Sequence, residues 1–226
     1  SSVIFLVDHS AGKISKAAGE LATYAKSIGE SVAVIFADNA DQIASQLNAF
    51  SVDKVITVAG EWDKYGAAAI AEGLAQIVAA KNPAAVLITS TATGKEIAAR
   101  VSVITGSGII TDAVNVDKEL ITTQSVFGGS TTVHSTVTKG VPVITLRANS
   151  IEAVAATSTP AVETFAATIS DAAKLAPISS ATPVVKGGRP DLTEASIVVS
   201  GGRGTNGDFK PVEALADALG AAVGAS

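Results

Sequence analysis

The sequence predicts an α/β protein with a mostly parallel, Rossmann-like sheet that carries an antiparallel addition. In residues 1–105, short apolar runs alternate with segments whose apolar residues recur every three or four positions, as in parallel α/β sheets. In residues 106–169, several runs instead alternate polar and apolar residues, which is typical of antiparallel strands with one face in water. Aromatic residues make up only 4% of a chain that is 47% hydrophobic, so the core must consist mainly of aliphatic side chains.

The parallel part is predicted to alternate strands and helices. Its strands are the apolar runs at residues 3–7, 31–37, 54–59 and 84–89. Its helices lie at residues 13–28, 38–50, 65–80 and 96–104. Ligands in such sheets bind beyond the carboxyl ends of the strands, so the loops that follow the strands are candidate sites.

The antiparallel addition is predicted from five further runs. They lie at residues 109–116, 120–126, 131–138, 141–146 and 161–169, with turns at 117–118, 128–129 and 139–140. His134 falls on the polar side of the third run. We therefore assign His134 no functional role.

Composition and charge exclude several classes of function. The net charge is −5, whereas a nucleic-acid-binding domain usually carries a basic face, so no nucleic-acid partner is expected. The sequence contains no cysteine, which removes disulfides and thiolate catalysis and is typical of a reducing compartment. It also has no run of about eighteen apolar residues, so direct insertion into a membrane is not expected.

The first candidate site is the hydroxyl-rich loop at residues 89–96. Its hydroxyls could hold a phosphate, and the alternative function for the chain is a stand-alone AMP- or ATP-binding module of the stress-sensor type that uses this loop. A structural interpretation is stronger, because Thr93 and Glu96 match a capping box for the following helix. His9 follows the first strand, but the sequence places no Ser, Asp or Glu beside it. No catalytic or metal-binding residues are predicted.

The second candidate site is a glycine-rich loop. Residues 200–207 contain four glycines between an apolar strand at 197–199 and a helix that Asp208 is expected to cap. The predicted helix has an apolar stripe at Val212, Leu215, Ala216, Leu219 and Val223. A strand, a glycine loop and a helix N-terminus together present backbone N–H groups to a phosphate. The spacing matches neither G-x-G-x-x-G nor a P-loop, and an ordinary turn is the alternative interpretation.

Arg203 distinguishes this loop from an ordinary turn. A long cationic side chain among glycines has little to pack against, which favours contact with an anion or a planar ring. Gly202 and Gly204, on either side of it, belong to the same candidate site.

Residues 177–195 are predicted to be a linker between two domains. This segment carries three prolines and two adjacent glycines and has no hydrophobic periodicity. Residues 1–176 then form an N-terminal α/β domain, and residues 196–226 begin a second domain.

The sequence resembles the electron transfer flavoprotein alpha-subunit family along nearly its whole length. Val199-Ser-Gly-Gly-Arg-Gly204, followed by a helix and Ala221-Ala-Val-Gly-Ala-Ser226, is similar to the start of that family's FAD-binding domain. Blocks that look like its N-terminal domain lie at residues 9–12, 94–100, 108–112, 127–129 and 141–147.

The resemblance implies an electron carrier and not an enzyme. It implies that Arg203 and Ser226 contact FAD in a heterodimer with a beta subunit. Such a heterodimer takes electrons from flavin dehydrogenases and passes them to a membrane quinone reductase or another acceptor. The location would be the cytoplasm of a bacterium or the mitochondrial matrix of a eukaryote.

The resemblance also implies that the FAD-binding domain is incomplete in residues 196–226. In the family, Ser226 is followed by an arginine and by further strand–helix units that enclose the flavin. We therefore expect FAD in the intact heterodimer and none on residues 1–226 by themselves.

Overall fold

A computed structural model describes residues 1–185 and 187–226. The chain separates into two compact units, residues 1–179 and residues 180–226. Lys186, which falls in the predicted linker at 177–195, lies outside the described residues.

The first unit is built from alternating strands and helices in its N-terminal half and mostly from strands after that. The elements of its N-terminal half are β1 (Ser2–Leu6), β2 (His9–Ser10), β3 (Lys13–Ile14), α1 (Lys16–Ile28), β4 (Glu30–Phe36), α2 (Ala40–Ala44), β5 (Lys54–Val58), α3 (Trp62–Lys81), β6 (Ala85–Thr89) and α4 (Ala92–Thr105). The later elements are β7 (Ile109–Val116), β8 (Thr122–Val126), β9 (Thr131–Ser135), β10 (Val143–Leu146) and β11 (Ala161–Thr164). Short 3-10 segments lie at Ser45–Ala49, Phe127–Gly129 and Ala172–Lys174.

These strands form one nine-stranded sheet in the order β11-β5-β4-β1-β6-β10-β7-β8-β9. The pairs from β11 to β7 are parallel, whereas β7–β8 and β8–β9 are antiparallel. The predicted fold class is therefore confirmed. The chain moves from β1 to β4 on one side and later returns to β6 on the other, which makes the gap between β1 and β6 the topological switch point.

A layer of core residues lies on each face of the sheet. Alternate residues of β1 point to opposite layers, with Phe5 packed among residues of α1 and α2 and Ile4 among residues of α3 and α4. Both side chains are fully buried. Apart from a few aromatics, such as Trp62 edge-on to Phe36 with ring centroids 4.8 Å apart, the core is aliphatic, as the composition predicts.

The structure corrects the starts of two predicted helices. The helix predicted from residue 13 begins at Lys16, because Lys13 and Ile14 pair with His9 and Ser10 in a small antiparallel hairpin. The helix predicted from residue 65 begins at Trp62 and is kinked at Gly66, whose φ is 64° and ψ −150°.

The strand predicted at residues 161–169 is also shorter than expected and ends at Thr164. Beyond Thr164, backbone N–H groups donate to side chains of α3 and not to a neighbouring strand. Gln76 Oε1 accepts from the Thr168 N–H at 2.9 Å, and Glu72 Oε2 accepts from the Ser170 N–H at 2.8 Å.

The second unit contains β12 (Val198–Gly201), α5 (Lys210–Leu219) and β13 (Ala222–Ala225), with a 3-10 turn at Arg203–Thr205. The two strands are parallel, and α5 provides the crossover connection that a parallel pair needs. The helix ends at Gly220, whose φ of 61° suits a glycine, so Val223 lies in β13 and not in the predicted helical stripe. Ala216 is fully buried, whereas Leu215 is 52% exposed.

Candidate functional site

The glycine-rich loop connects β12 to α5 at the carboxyl ends of the two parallel strands. Gly201 is in register with Ala225, and the Ser226 N–H donates to Gly201 O at 3.1 Å. Ser226 therefore lies beside Gly202. A Cβ at position 202 would come within 2.8 Å of Ser226 Oγ, so the absence of a side chain there allows the close approach.

The loop turns tightly after Gly202. Gly202 O accepts from the Thr205 N–H at 3.0 Å and from Thr205 Oγ1 at 2.8 Å. Arg203 O accepts from the Asn206 N–H at 3.1 Å. Asn206 and Gly207 have φ of 48° and 85°, which reverses the chain toward α5.

Arg203 is exposed, and its side chain forms no hydrogen bond or ion pair with the rest of the described chain. The other three arginines of the sequence all pair with a carboxylate. Arg100 pairs with Glu96, Arg147 with Asp112 and Arg189 with Asp217. Arg203 is thus the one arginine whose charge no described carboxylate balances.

The backbone around Arg203 is open as well. The N–H groups of Arg203 and Gly204 donate to no other described residue, and a Cβ at Gly204 would meet nothing within 4 Å. The N-cap of α5 is Phe209, which has no side-chain cap. Asp208, the predicted cap, accepts from the Lys210 N–H through Oδ1 at 3.1 Å.

The four predicted site residues therefore lie together at one edge of the small sheet. Gly202 and Ser226 adjoin, and Arg203 and Gly204 follow on the same turn. A guanidinium, free N–H groups and a hydroxyl next to uncrowded backbone fit an anionic, phosphate-bearing cofactor such as FAD. In the family that the sequence resembles, FAD, when bound, supplies the uptake and release of electrons.

The hydroxyl-rich loop after β6 is arranged differently. Thr91, and not Thr93, is the N-cap of α4, and its Oγ1 accepts from the Gly94 N–H at 2.9 Å. The predicted capping box is therefore wrong, because the helix begins at Ala92, four residues earlier than expected. Glu96 instead pairs with Arg100 one turn along the helix, with Oε1 2.9 Å from Nη2.

A small cavity of about 190 Å³ adjoins this loop at the switch point. Asp8 and Asp63 lie among its lining residues, which include no lysine or arginine. Two carboxylates without a cation disfavour a phosphate, so the cavity does not support the alternative AMP- or ATP-binding function. His9, also in the lining, uses Nε2 to bond Phe36 O at 2.9 Å and contacts no acid or nucleophile by a described hydrogen bond.

Sequence reasoning missed a polar cluster that joins Asp112, in the middle of β7, to residues at the carboxyl ends of β6 and β10. Asp112 Oδ2 accepts from Arg147 Nη2 at 2.8 Å, and Oδ1 accepts from Ser90 Oγ at 3.1 Å. The Asp112 N–H donates to Thr145 Oγ1 at 2.9 Å. The hydrogen bond from Arg147 is the main cause that holds the pKa of Asp112 below its usual range.

This cluster lies where the sheet changes from parallel to antiparallel pairing. Asp112 has a left-handed φ of 62°. The register of β7 shifts near it, against β10 between Ile110 and Ala113 and against β8 between Ala113 and Asn115. Its partners Ser90 and Arg147 are 22 and 35 positions away in sequence, so no local pattern could have revealed the contact.

The described residues contain neither a metal-binding cluster nor a membrane-spanning helix. Nowhere in residues 1–185 and 187–226 do three or more His, Asp or Glu side chains group in a way that could hold a metal ion. In the same part of the chain, no helix is both long and apolar enough to cross a membrane.

Comparison with known proteins identifies both units. Residues 3–170 match the family described as electron transfer flavoprotein domain, and residues 191–226 match the electron transfer flavoprotein FAD-binding domain. The electron transfer flavoprotein subunit alpha of Mycobacterium leprae is 38% identical over 100% of this chain and 72% of its own length. The subunits alpha of Mycobacterium tuberculosis and Syntrophomonas wolfei are 40% and 34% identical, over 72% and 71% of their lengths.

The fold and the two matched domains define a flavoprotein component of electron transfer with an α/β architecture. More particularly, the chain belongs to the electron transfer flavoprotein alpha-subunit family. The family resemblance read from the sequence is therefore confirmed.

Proposed function

We propose that the chain acts as the alpha subunit of an FAD-carrying heterodimer, in which the turn after β12 binds the cofactor. Gly202, Arg203, Gly204 and Ser226 are the proposed contacts. The observation that carries this proposal is the unpaired guanidinium of Arg203 in an open glycine turn, in the region that matches the FAD-binding domain. A free guanidinium offers two parallel N–H donors to a phosphate or a flavin oxygen.

Each proposed contact has a distinct role. Arg203 supplies charge, and the N–H groups of Arg203 and Gly204 supply donors that no described residue uses. Gly202 allows the two strand ends to approach closely, because any side chain there would press on Ser226 Oγ. Ser226 then presents its hydroxyl next to the turn. The chain thus binds and orients the cofactor and does not carry out the redox chemistry itself.

The partner of the chain is proposed to be a beta subunit, since the relatives are named as subunits alpha. The heterodimer would accept electrons from flavin dehydrogenases and deliver them to a membrane quinone reductase or another acceptor. We place it in the cytoplasm of a bacterium or in the mitochondrial matrix of a eukaryote, because two fungal relatives are named mitochondrial. We regard it as an electron carrier and not as an enzyme.

The domain arrangement is proposed as residues 1–176, a linker at 177–195 and the beginning of an FAD-binding domain at 196–226. We further propose that residues 1–226 alone retain no FAD. Four contacts on one edge of a two-stranded sheet are too few to hold a dinucleotide through purification. An absorbance spectrum of protein whose mass confirms residues 1–226 tests this, and a stoichiometric flavin band would contradict it.

The test of the function uses the intact heterodimer with its beta subunit. We expect a flavin absorbance band at one FAD per heterodimer. That band should bleach when a flavin dehydrogenase and its substrate are added, and recover on addition of an electron acceptor. A colourless heterodimer that takes up no added FAD would contradict the proposal.

A further inference from the structure

We propose that Asn206 is a site of spontaneous deamidation, at which the cofactor-binding turn acquires a negative charge close to Arg203. Asn206 ends the 3-10 turn that Arg203 begins, and it is exposed. Nothing in the described chain protects its side chain or the amide that follows it.

The reaction needs only the protein and water. The backbone nitrogen of Gly207 loses its proton and attacks the side-chain carbonyl carbon Cγ of Asn206. A new N–Cγ bond forms, the Cγ–Nδ2 bond breaks, and ammonia leaves. Water then opens the resulting five-membered imide at one of its two carbonyls, which gives Asp or isoAsp at position 206.

The sequence favours one place for this reaction. Of the six asparagines in the chain, only Asn206 precedes a glycine. Because Gly207 has no side chain, its nitrogen can approach Asn206 Cγ without steric hindrance. The surroundings of Gly207 are also open, since a Cβ at this position would meet nothing within 4 Å.

The structure offers two internal comparisons, because Asn82 and Asn149 share the left-handed backbone of Asn206, with φ of 44°, 62° and 48°. Asn82 precedes Pro83, which has no N–H and cannot form the imide by this route. Asn149 precedes a serine and is held in place, since its Oδ1 accepts from Lys16 Nζ at 3.0 Å and its N–H donates to Glu20 at 2.9 Å.

Asn206 lacks both forms of protection. Neither its side-chain amide nor the N–H of Gly207 forms a hydrogen bond with another described residue. The turn is held by one bond from the Asn206 N–H to Arg203 O and one from the Asp208 N–H to Thr205 O. Neither bond is formed by the atoms that react.

The consequence for cofactor binding rests on the proposed function. Asn206 is the C-cap of the turn that begins at Arg203, and its N–H donates to Arg203 O at 3.1 Å, so a carboxylate at 206 places a negative charge close to Arg203. The two would form an ion pair, and the new charge would also repel an anionic cofactor. The isoAsp product additionally inserts a methylene into the main chain of the turn. Deamidation is therefore expected to weaken FAD binding, and bound FAD to slow deamidation by ordering the turn.

The first experiment follows the modification itself. The purified intact heterodimer, with and without excess FAD, is incubated in mildly alkaline buffer, digested and analysed by mass spectrometry. We expect conversion of amide to acid on the peptide that carries Asn206, with both Asp and isoAsp products, while the peptides with Asn82 and Asn149 stay unchanged. Asn206→Gln, whose longer side chain cyclises slowly, serves as the control. An Asn206 peptide that keeps its amide, or equal conversion at Asn149, would overturn the proposal.

The second experiment separates the modification from the proposed cofactor site. FAD affinity is measured for heterodimers with Asn206→Asp and Asn206→Gln. We expect Asn206→Asp to weaken binding about two- to fivefold, the effect of one exposed ion pair, and Asn206→Gln to leave it unchanged. Equal affinities would refute the effect on binding. If Asn206 deamidates but Arg203→Ala also leaves FAD affinity unchanged, the proposed cofactor site fails and the modification site stands.

Discussion

The chain contains two strand–loop–helix connections that look alike in sequence and differ in structure. The stretch after β6 and the loop after β12 both combine glycine with hydroxyl residues, although Gly94 of the first stretch lies within the first turn of α4. In the first, Thr91 caps the helix and Gly94 packs against the backbone, with an added Cβ only 2.0 Å from Thr89 O. In the second, Phe209 provides no side-chain cap, and Gly204 has open space around it.

Glycine and hydroxyl content alone therefore does not identify a binding loop. What separates the two loops is whether their polar groups are already used within the protein. In the first loop, Thr91 accepts from a free N–H at the start of α4, so the role of its hydroxyl in folding is sufficient to explain it. The second leaves a guanidinium and two N–H groups without described partners, so it is better explained by a ligand.

The largest expected effect on stability concerns the two glycines. Gly94→Ala should lower the free energy of unfolding by roughly 3 kcal/mol, because the new methyl group collides with backbone that cannot move aside. Gly204→Ala should change it by less than about 0.5 kcal/mol, since nothing lies near its Cβ position. Denaturant unfolding followed by far-UV circular dichroism measures both. A Gly204→Ala variant as unstable as Gly94→Ala would remove the distinction between the loops.

The cap of α4 provides the next largest effect. Thr91→Ala should lower the free energy of unfolding by about 1 kcal/mol, because the Gly94 N–H loses its acceptor at the helix N-terminus. Thr93→Ala is the matched control, and a change of less than about 0.5 kcal/mol is expected because Thr93 is exposed. Fluorescence of Trp62, the sole tryptophan, reports the unfolding of this unit. If Thr93→Ala were the more destabilising change, the capping box read from the sequence would be right after all.

The smallest effect concerns the ion pair between Asp112 and Arg147. Because the pair is partly exposed, it contributes about 0.5–1 kcal/mol to the free energy of unfolding. Because the folded-state pKa of Asp112 lies below its unfolded value, this stability is present above the unfolded pKa and is lost as the pH falls through the folded pKa. Asp112→Asn keeps the acceptor for Ser90 and tolerates the left-handed backbone, but it removes the charge.

The free energies of unfolding of the wild type and of Asp112→Asn should therefore differ by about 0.5–1 kcal/mol at neutral pH and converge below about pH 4. Trp62 fluorescence in denaturant measures the difference at each pH. A difference that persists unchanged in acid would show that the Arg147 ion pair is not its cause.

Local patterns predicted most of the strands and the fold class, because buried parallel strands are apolar runs and helices repeat every three to four residues. They did not predict that β10 lies between β6 and β7, since strand order depends on packing between distant segments. They misplaced the start of α1, because the pairing of Lys13–Ile14 with His9–Ser10 overrides a helical pattern that continues through both residues.

The candidate site was predicted in part. The residue types at 202–204 indicated an anion site, and the family resemblance added Ser226. That Ser226 lies against Gly202 follows only from the register of β12 and β13, which the sequence does not state. The polar cluster around Asp112 could not be predicted, because its other members lie 22 to 35 positions from Asp112 in sequence.

The most direct test of the account is an FAD titration of the intact heterodimer with Arg203→Ala, beside Arg100→Ala as a control arginine already paired with Glu96. If Arg203 donates a hydrogen bond to FAD, its removal should weaken binding by about 1.5–3 kcal/mol, the worth of a bond from a charged group. Arg100→Ala should bind FAD as the wild type does. Unchanged affinity in Arg203→Ala, with the circular dichroism spectrum intact, would contradict the assignment of this turn to the cofactor.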